Sequence, residues 1–134
     1  ALTDLARLNQ TLVDFAQKRQ PCGTATLDQD ATLAQTNKAN ALFCYKHFKA
    51  YQPFNTYGHE HKMLLHSEFR DGNVPAGFGQ LRLLQESLAR LPDGVKKVML
   101  RSDSAGYQED LIRYCAKGDN ERFRVIEFAI SIKV

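Results

Sequence analysis

Leu100-Arg101-Ser102-Asp103-Ser104-Ala105-Gly106-Tyr107 closes an apolar run that begins at Val95, and its aspartate stands where a strand hands over to a helix. A second acidic stretch, Leu27-Asp28-Gln29-Asp30-Ala31-Thr32, lies far earlier in the chain on another strand-like run. Carboxylates carried on strands are costly to desolvate unless a cation or hydrogen bonds compensate them. Two of them on two strands are what a divalent cation needs, because hard cations take oxygen ligands and keep several waters. Side chains alternate along a strand, so Asp28 and Asp30 share a face with Thr26 and Thr32. If the two strands are neighbours, Asp30 and Asp103 come within metal-bridging distance at the carboxyl edge, where open α/β sheets hold their ligands. A plainer reading stays open. Asp103 can be an acid favoured at a helix N-terminus, and Asp28 or Asp30 a strand-end residue paired with Lys or Arg.

Leu2, Leu5, Leu8, Leu12, Phe15 and Ala16 have helical spacing over residues 2–18, and Pro21 with Gly23 ends that segment. Thr24 to Leu33 reads as a strand. Residues 35–50 read as a loop with a short extended piece, polar at first, then apolar at Leu42-Phe43-Cys44-Tyr45, then basic and aromatic at Lys46-His47-Phe48-Lys49. Ala50–Tyr57 and Met63–Phe69 make a hairpin around Gly58-His59-Glu60-His61-Lys62, and Arg70-Asp71-Gly72-Asn73 is turn chemistry. Beyond Pro75 and Gly77, the residues Phe78, Leu81, Leu84, Leu88 and Leu91 form one helical stripe, stopped by Pro92-Asp93-Gly94. Val95–Arg101 is a short apolar strand. A helix is predicted from about Ser104 to Ala116 with Gly118 as its C′ residue, then a mostly buried strand over Phe123–Val134. The order predicts an α/β fold, with three antiparallel strands followed by helix-linked parallel ones in a mixed sheet.

At 134 residues the chain is one domain by length. Its 43% hydrophobic and 25% charged residues are those of a folded soluble domain and exclude general disorder. No apolar run approaches the roughly 20 residues of a membrane span, and Ala1 to Gln20 lacks the pattern of a signal peptide. The net charge of +3 is compatible with nucleic acid but points to it only weakly. Cys22, Cys44 and Cys115 are odd in number with no C-x-x-C pair, which suits free thiols in a reducing cytoplasm. The missing initiator Met suggests a processed chain or a piece of a longer one.

Four motifs stand in order: Leu27–Thr32, Tyr45-Lys46-His47-Phe48-Lys49-Ala50-Tyr51-Gln52-Pro53-Phe54, His66-Ser67-Glu68-Phe69-Arg70-Asp71-Gly72-Asn73-Val74-Pro75-Ala76-Gly77, and Leu100–Tyr107. Together they resemble the catalytic core of bacterial insertion-sequence transposases of the DDE type, over about residues 24–134. The resemblance implies a ribonuclease H-like fold with a mixed five-stranded sheet, preceded by an N-terminal helix and linker over 1–23. It implies DNA as substrate, both transposon ends and target. It also implies Mg²⁺ or Mn²⁺ as cofactor, two ions in the complete active site, where such a pair can activate a nucleophile and stabilise a leaving oxygen. Asp30 resembles the first catalytic aspartate and Asp103 the second, both metal ligands, with Asp28 a nearby alternative for the first. The family pattern has Gly after the lysine of the Tyr-Lys motif, where this chain has His47. It also has a third acid, a Glu on a helix after the last core strand. Glu127 lies in that strand and Glu121 before it, so neither matches. The expectation is an incomplete site with weak metal affinity and no strand transfer, and, as an alternative function, a non-catalytic DNA-binding or interaction remnant.

Other candidates are softer. Lys46, Lys49, Arg70 and Arg101, interleaved with Tyr45, Phe48 and Tyr51, can contact DNA phosphates or form an ordinary solvated surface. His59 and His61 are an H-x-H pair in a turn, either zinc ligands or simply exposed. His66 and Glu68 share a strand face and either approach the acids or face solvent. An exposed sheet edge, left where later residues should pack, is expected to favour a homodimer.

Overall fold

The computed structural model describes residues 2–132. Helix α1 spans Leu2–Arg19, with Asp4 in its first turn and Lys18 and Arg19 in its last, both favourable to the helix dipole. Pro21 cannot continue it, and the chain turns at Cys22-Gly23 into β1 (Thr24–Ala31). Burial alternates along β1: Ala25, Leu27 and Gln29 point into the protein, whereas Thr26 and Asp28 are half-buried and Asp30 exposed. One face of the sheet is therefore core and the other open, as a two-residue period requires.

The strands β5 (Phe54–Gly58), β6 (Met63–Glu68), β7 (Lys97–Ser102) and β8 (Glu127–Ile130) complete a five-stranded sheet in the order β6-β5-β1-β7-β8. The pairs β1–β5 and β5–β6 are antiparallel; β1–β7 and β7–β8 are parallel. This mixed sheet with its helices is the ribonuclease H-like arrangement expected from the motifs. Helices α2 (Gln80–Ala89) and α3 (Glu109–Lys117) supply the crossovers on either side of β7. Val13 of α1, Leu84 and Leu88 of α2, and Leu111 and Cys115 of α3 join Ala25, Leu27, Leu65, Val98 and Leu100 in one apolar cluster. All three helices thus pack into a single core, where each fully buried Leu or Val contributes roughly 1.5–3 kcal/mol.

Several expected boundaries move, each for a local reason. Residues 34–51 are not a loop: β2 (Ala34–Gln35), β3 (Leu42–Phe43) and β4 (Lys49–Tyr51) form a second, three-stranded antiparallel sheet in the order β2-β4-β3. The strand expected over Ala50–Tyr57 breaks at Gln52-Pro53, where Pro53 has no N–H and Gln52 N–H donates to Arg70 O instead. In α2 the buried face includes Gln80, Leu83 and Ser87 as well as Leu84 and Leu88, while Phe78 lies before the helix and is exposed.

The helix expected from Ser104 starts as a 3₁₀ turn, Ser104–Gly106, and α3 begins only at Glu109. The Gln108 side chain donates to Ala105 O at 2.7 Å and to Gly77 O at 2.7 Å, taking the carbonyl an uninterrupted helix would use. Gly118 does end α3 in the left-handed conformation, with φ 72°. The last strand is shorter and more exposed than expected. Asn120 accepts from the N–H groups of Arg122 and Phe123, and Arg124 turns to φ 61°, so extended pairing starts at Glu127. Phe123 and Ile126 are buried ahead of it, and the end of the expected strand, residues 133–134, lies outside the described residues.

Candidate active site

The parallel register of β1 on β7 sets Leu27 beside Leu100, Asp28 beside Arg101 and Gln29 beside Ser102. One step further along both strands come Asp30 and Asp103. The two acids therefore emerge side by side, at the carboxyl edge of two central strands, on the face that carries no helix among the described residues. Their proximity is felt electrostatically. Partial desolvation and then the neighbouring Asp103 carboxylate raise Asp30 above the ordinary aspartate range, against a lowering contribution from the Ala31 N–H. Two carboxylates that repel each other this way lower their energy by sharing a cation.

Asp28 has a different fate. Arg101 grips it with both ends of its guanidinium, Nε to Oδ1 at 2.5 Å and Nη2 to Oδ2 at 2.8 Å. Such fork-on-fork pairs fix geometry as well as charge, so Asp28 already has its cation. Lys97 Nζ likewise pairs with Glu127 Oε1 at 3.1 Å. Glu127 is thus engaged on β8. Asp103 Oδ1 accepts from Ala105 N–H at 3.1 Å, capping the 3₁₀ turn, and its charge acts on Asp30.

Behind the pair runs a polar network that sequence reasoning missed. Gln80 Nε2 donates to Ser102 Oγ at 2.9 Å and to Gln29 Oε1 at 3.3 Å, Gln29 Nε2 donates to Thr56 Oγ1 at 3.0 Å, and Ser87 Oγ donates to the same Thr56 oxygen at 2.9 Å. Gln29, Thr56, Gln80 and Ser87 are all at most 2% exposed. The network ties α2 to β1, β5 and β7 one residue from each acid. The available signal was Gln29 itself, a polar side chain at an inward position of a strand. Gly106 belongs to this packing, since a Cβ there would stand 2.4 Å from Ser102 Oγ.

The basic candidates separate on inspection. β4 leads through Gln52-Pro53 into β5, and Thr32 N–H donates to Pro53 O, so the small sheet sits at the end of β1 that carries Asp30. Its β3–β4 loop is closed by Cys44 N–H to Phe48 O and His47 N–H to Cys44 O. Lys46 and Tyr45 are exposed there, the Lys46 ammonium 5.7 Å from the Tyr45 ring centre, and Lys49 lies over Phe43 at 5.8 Å. His47 occupies φ 66°, the left-handed region where glycine is at ease. His47 thus adopts a backbone conformation that a glycine at this position would adopt without strain. Arg70, by contrast, is 6% exposed and donates to Gln52 O, Phe78 O and Ala76 O at 3.2, 2.7 and 3.2 Å. Its guanidinium braces backbone.

The remaining candidates lie elsewhere. Glu68 pairs with Arg82 at 2.8 Å, and His66 lies 3.5 Å from Glu86, both turned to α2 from a strand separated from β1 by β5. Burial, then Arg90, lowers the His66 pKa. His59 is exposed, His61 meets Gln17 Oε1 at 2.9 Å, and Glu60 between them accepts from Thr26 N–H and Thr26 Oγ1, both at 2.7 Å. Among the described residues no group of three or more His, Cys, Asp or Glu side chains is placed to hold a metal. The three cysteines are free, and burial pushes the Cys115 thiol up to about 11, so it stays protonated.

The sheet order and the four ordered motifs agree with the comparison to known families. The model of the transposase DDE domain group 1 matches residues 1–132. No curated protein and no solved structure gives a significant match. No described helix is long and apolar enough to cross a membrane. The chain belongs to the transposase DDE domain group 1 family.

Proposed function

We propose that this chain is the metal-binding part of a DNA transposase catalytic core, with Asp30 and Asp103 as its first two catalytic carboxylates. The observation that carries this reading is the β1–β7 register, which sets these two acids side by side on an open sheet face while Asp28 is spent on Arg101. Asp30 is therefore the first ligand in preference to Asp28. The donor set suits Mg²⁺ or Mn²⁺: hard oxygens, repelling each other, with room for the several waters such ions retain. When bound, two such ions supply activation of the attacking nucleophile and charge stabilisation at the leaving oxygen.

The chain's own residues do the rest. The buried Gln29–Gln80–Ser102 network fixes the strand ends that carry the acids. Lys46 and Lys49 offer charge to DNA phosphates, and Tyr45 a face on which a base can stack. Arg101 holds Asp28 and places a cation next to the scissile backbone, and Arg70 acts on the DNA path only through the loops it braces. The DNA would be a transposon end, then a target joined to its freed 3′ end. The test uses the full-length protein. Asp103→Asn and Asp30→Asn abolish Mg²⁺-dependent DNA cleavage without lowering the melting temperature, whereas Asp28→Asn retains cleavage. Persistent cleavage by either of the first two variants sinks the assignment. A second reading, a DNA-binding or interaction remnant without catalysis, is favoured by one observation, that no third acid joins the pair among the described residues. It predicts DNA binding that no divalent cation alters.

A further inference from the structure

The apolar stripe that makes α1 a helix is not what attaches it. Leu2, Leu5, Leu8, Leu12 and Phe15 are 82, 63, 56, 47 and 59% exposed. The helix is held by its other side, through buried Val13 and Gln17, with Gln17 Nε2 donating to Cys22 O and Asp93 O, Asn9 Nδ2 to Leu64 O and Gln10 Nε2 to Arg90 O. Leu5, Leu8, Leu12 and Phe15 follow a 3-4-3 spacing, the a and d positions of two heptads. At 3.6 residues per turn this seam points about 140° away from the Val13–Gln17 side.

We propose that this face of α1 is a self-association seam that receives the same face of a second copy of this chain, the two helices antiparallel about a two-fold axis near Gln10. The reason for choosing a second copy is self-complementarity. The antiparallel register that stacks Leu5 on Phe15 and Leu8 on Leu12 of the other copy is closed by a two-fold axis, as an isologous interface must be. The same register brings Asp4 at one end against Lys18 of the second copy at the other, twice over, with Thr11 facing Thr11 between them. Asp4 also lies 3.8 Å from Arg7 of its own helix. A parallel register sets Asp4 against Asn9 and Thr11 against Ala16, and brings no opposite charges together.

Size supports the assignment. The largest apolar patch on a monomer is roughly 300–600 Å², and larger ones mark interaction sites. Leu64 and Phe69, 45 and 68% exposed, line a groove with Leu2 and Leu5 and extend the patch toward the roughly 800 Å² per partner of a stable interface. Isolated two-heptad helices are marginal because nucleation is unfavourable, but α1 is already folded against its own sheet. The seam is separate from the acid pair and from the β8 edge of the five-stranded sheet, and through Leu64 it reaches the β6 edge.

Sedimentation velocity of the chain over a concentration series tests this. The wild type should show a monomer–dimer equilibrium, and Leu8→Gln with Leu12→Gln should raise the dissociation constant by roughly 100-fold or more. Lys18→Asp alone should weaken the dimer several-fold, and adding Asp4→Lys should restore it, because each swapped charge then meets its opposite across the two-fold axis. All substituted positions are solvent-facing, and circular dichroism of the dilute monomers should show unchanged helix content. A wild type that stays monomeric at every concentration overturns the proposal. So does a dimer indifferent to the leucine changes, or one that the double charge swap fails to restore.

Discussion

Arg70 offers a sharp test because its sequence context suggests a DNA contact while its surroundings describe a brace. Arg70→Met keeps most of the volume and removes the guanidinium. Three backbone carbonyls, Gln52 O, Ala76 O and Phe78 O, then lose their donor, and the contact over the Phe54 ring, 5.1 Å from the guanidinium carbon, goes with them. Each hydrogen bond to a charged group is worth roughly 1.5–3 kcal/mol. Water can reach some of these carbonyls once the side chain is shorter, so about 3–5 kcal/mol is a fair total rather than the full sum. For a domain of this length that corresponds to a melting temperature lower by roughly 10–20 °C. Arg70→Lys recovers only part, since an ammonium cannot span the three carbonyls. The assay is thermal unfolding with DNA binding measured well below the transition. A variant that melts within about 1 °C of the parent yet loses DNA affinity with a shallower salt dependence refutes the brace.

The acid pair predicts a specific pH response. Asp30 is raised by partial desolvation and by Asp103, so the folded state holds its proton longer than the unfolded state does. Stability therefore falls as pH climbs from the ordinary aspartate value through the raised one. Asp103→Asn should lower the Asp30 pKa, read by carboxyl-carbon NMR titration. Glu60 runs the other way: burial alone would raise it, but hydrogen bonds from Thr26 N–H and hydroxyl outweigh that and hold it low. Its stabilisation is present above the ordinary glutamate value and is lost as pH falls through the lowered one. Glu60→Ala should cost about 1–3 kcal/mol at neutral pH in urea unfolding and flatten that acid limb. His47→Gly, relieving a side chain at φ 66°, should stabilise the chain by about 0.5–1 kcal/mol in the same assay.

What could be read from sequence was periodicity. The two-residue alternation of β1 places Thr26, Asp28 and Asp30 on one face whatever the rest of the chain does, and the strand-to-helix composition around Asp103 puts that acid at a sheet edge. The register between β1 and β7 is a different kind of fact. A shift of two residues would have kept every side chain on its face and set Asp28, not Asp30, next to Asp103, so the neighbour of Asp103 is legible only in the register. Arg70 sits in a polar turn motif with nothing local to mark it as buried, because its partners are carbonyls that carry no sequence signal. The leucines of α1 announce a helix equally well whether they are buried or exposed, and only tertiary packing shows which. Gln108 stopped a helix through its side chain, an interaction that composition around Ser104–Ala116 does not encode.

The proposed function requires that Asp30 and Asp103 together hold a divalent cation. Mn²⁺ titration followed by amide NMR measures it directly, because the paramagnetic ion broadens resonances around wherever it binds. Broadening is expected to centre on Asp30, Asp103 and their immediate neighbours, to be lost in Asp103→Asn and to be retained in Asp28→Asn. Broadening centred elsewhere, or unchanged when Asp103 becomes Asn, contradicts the proposed function.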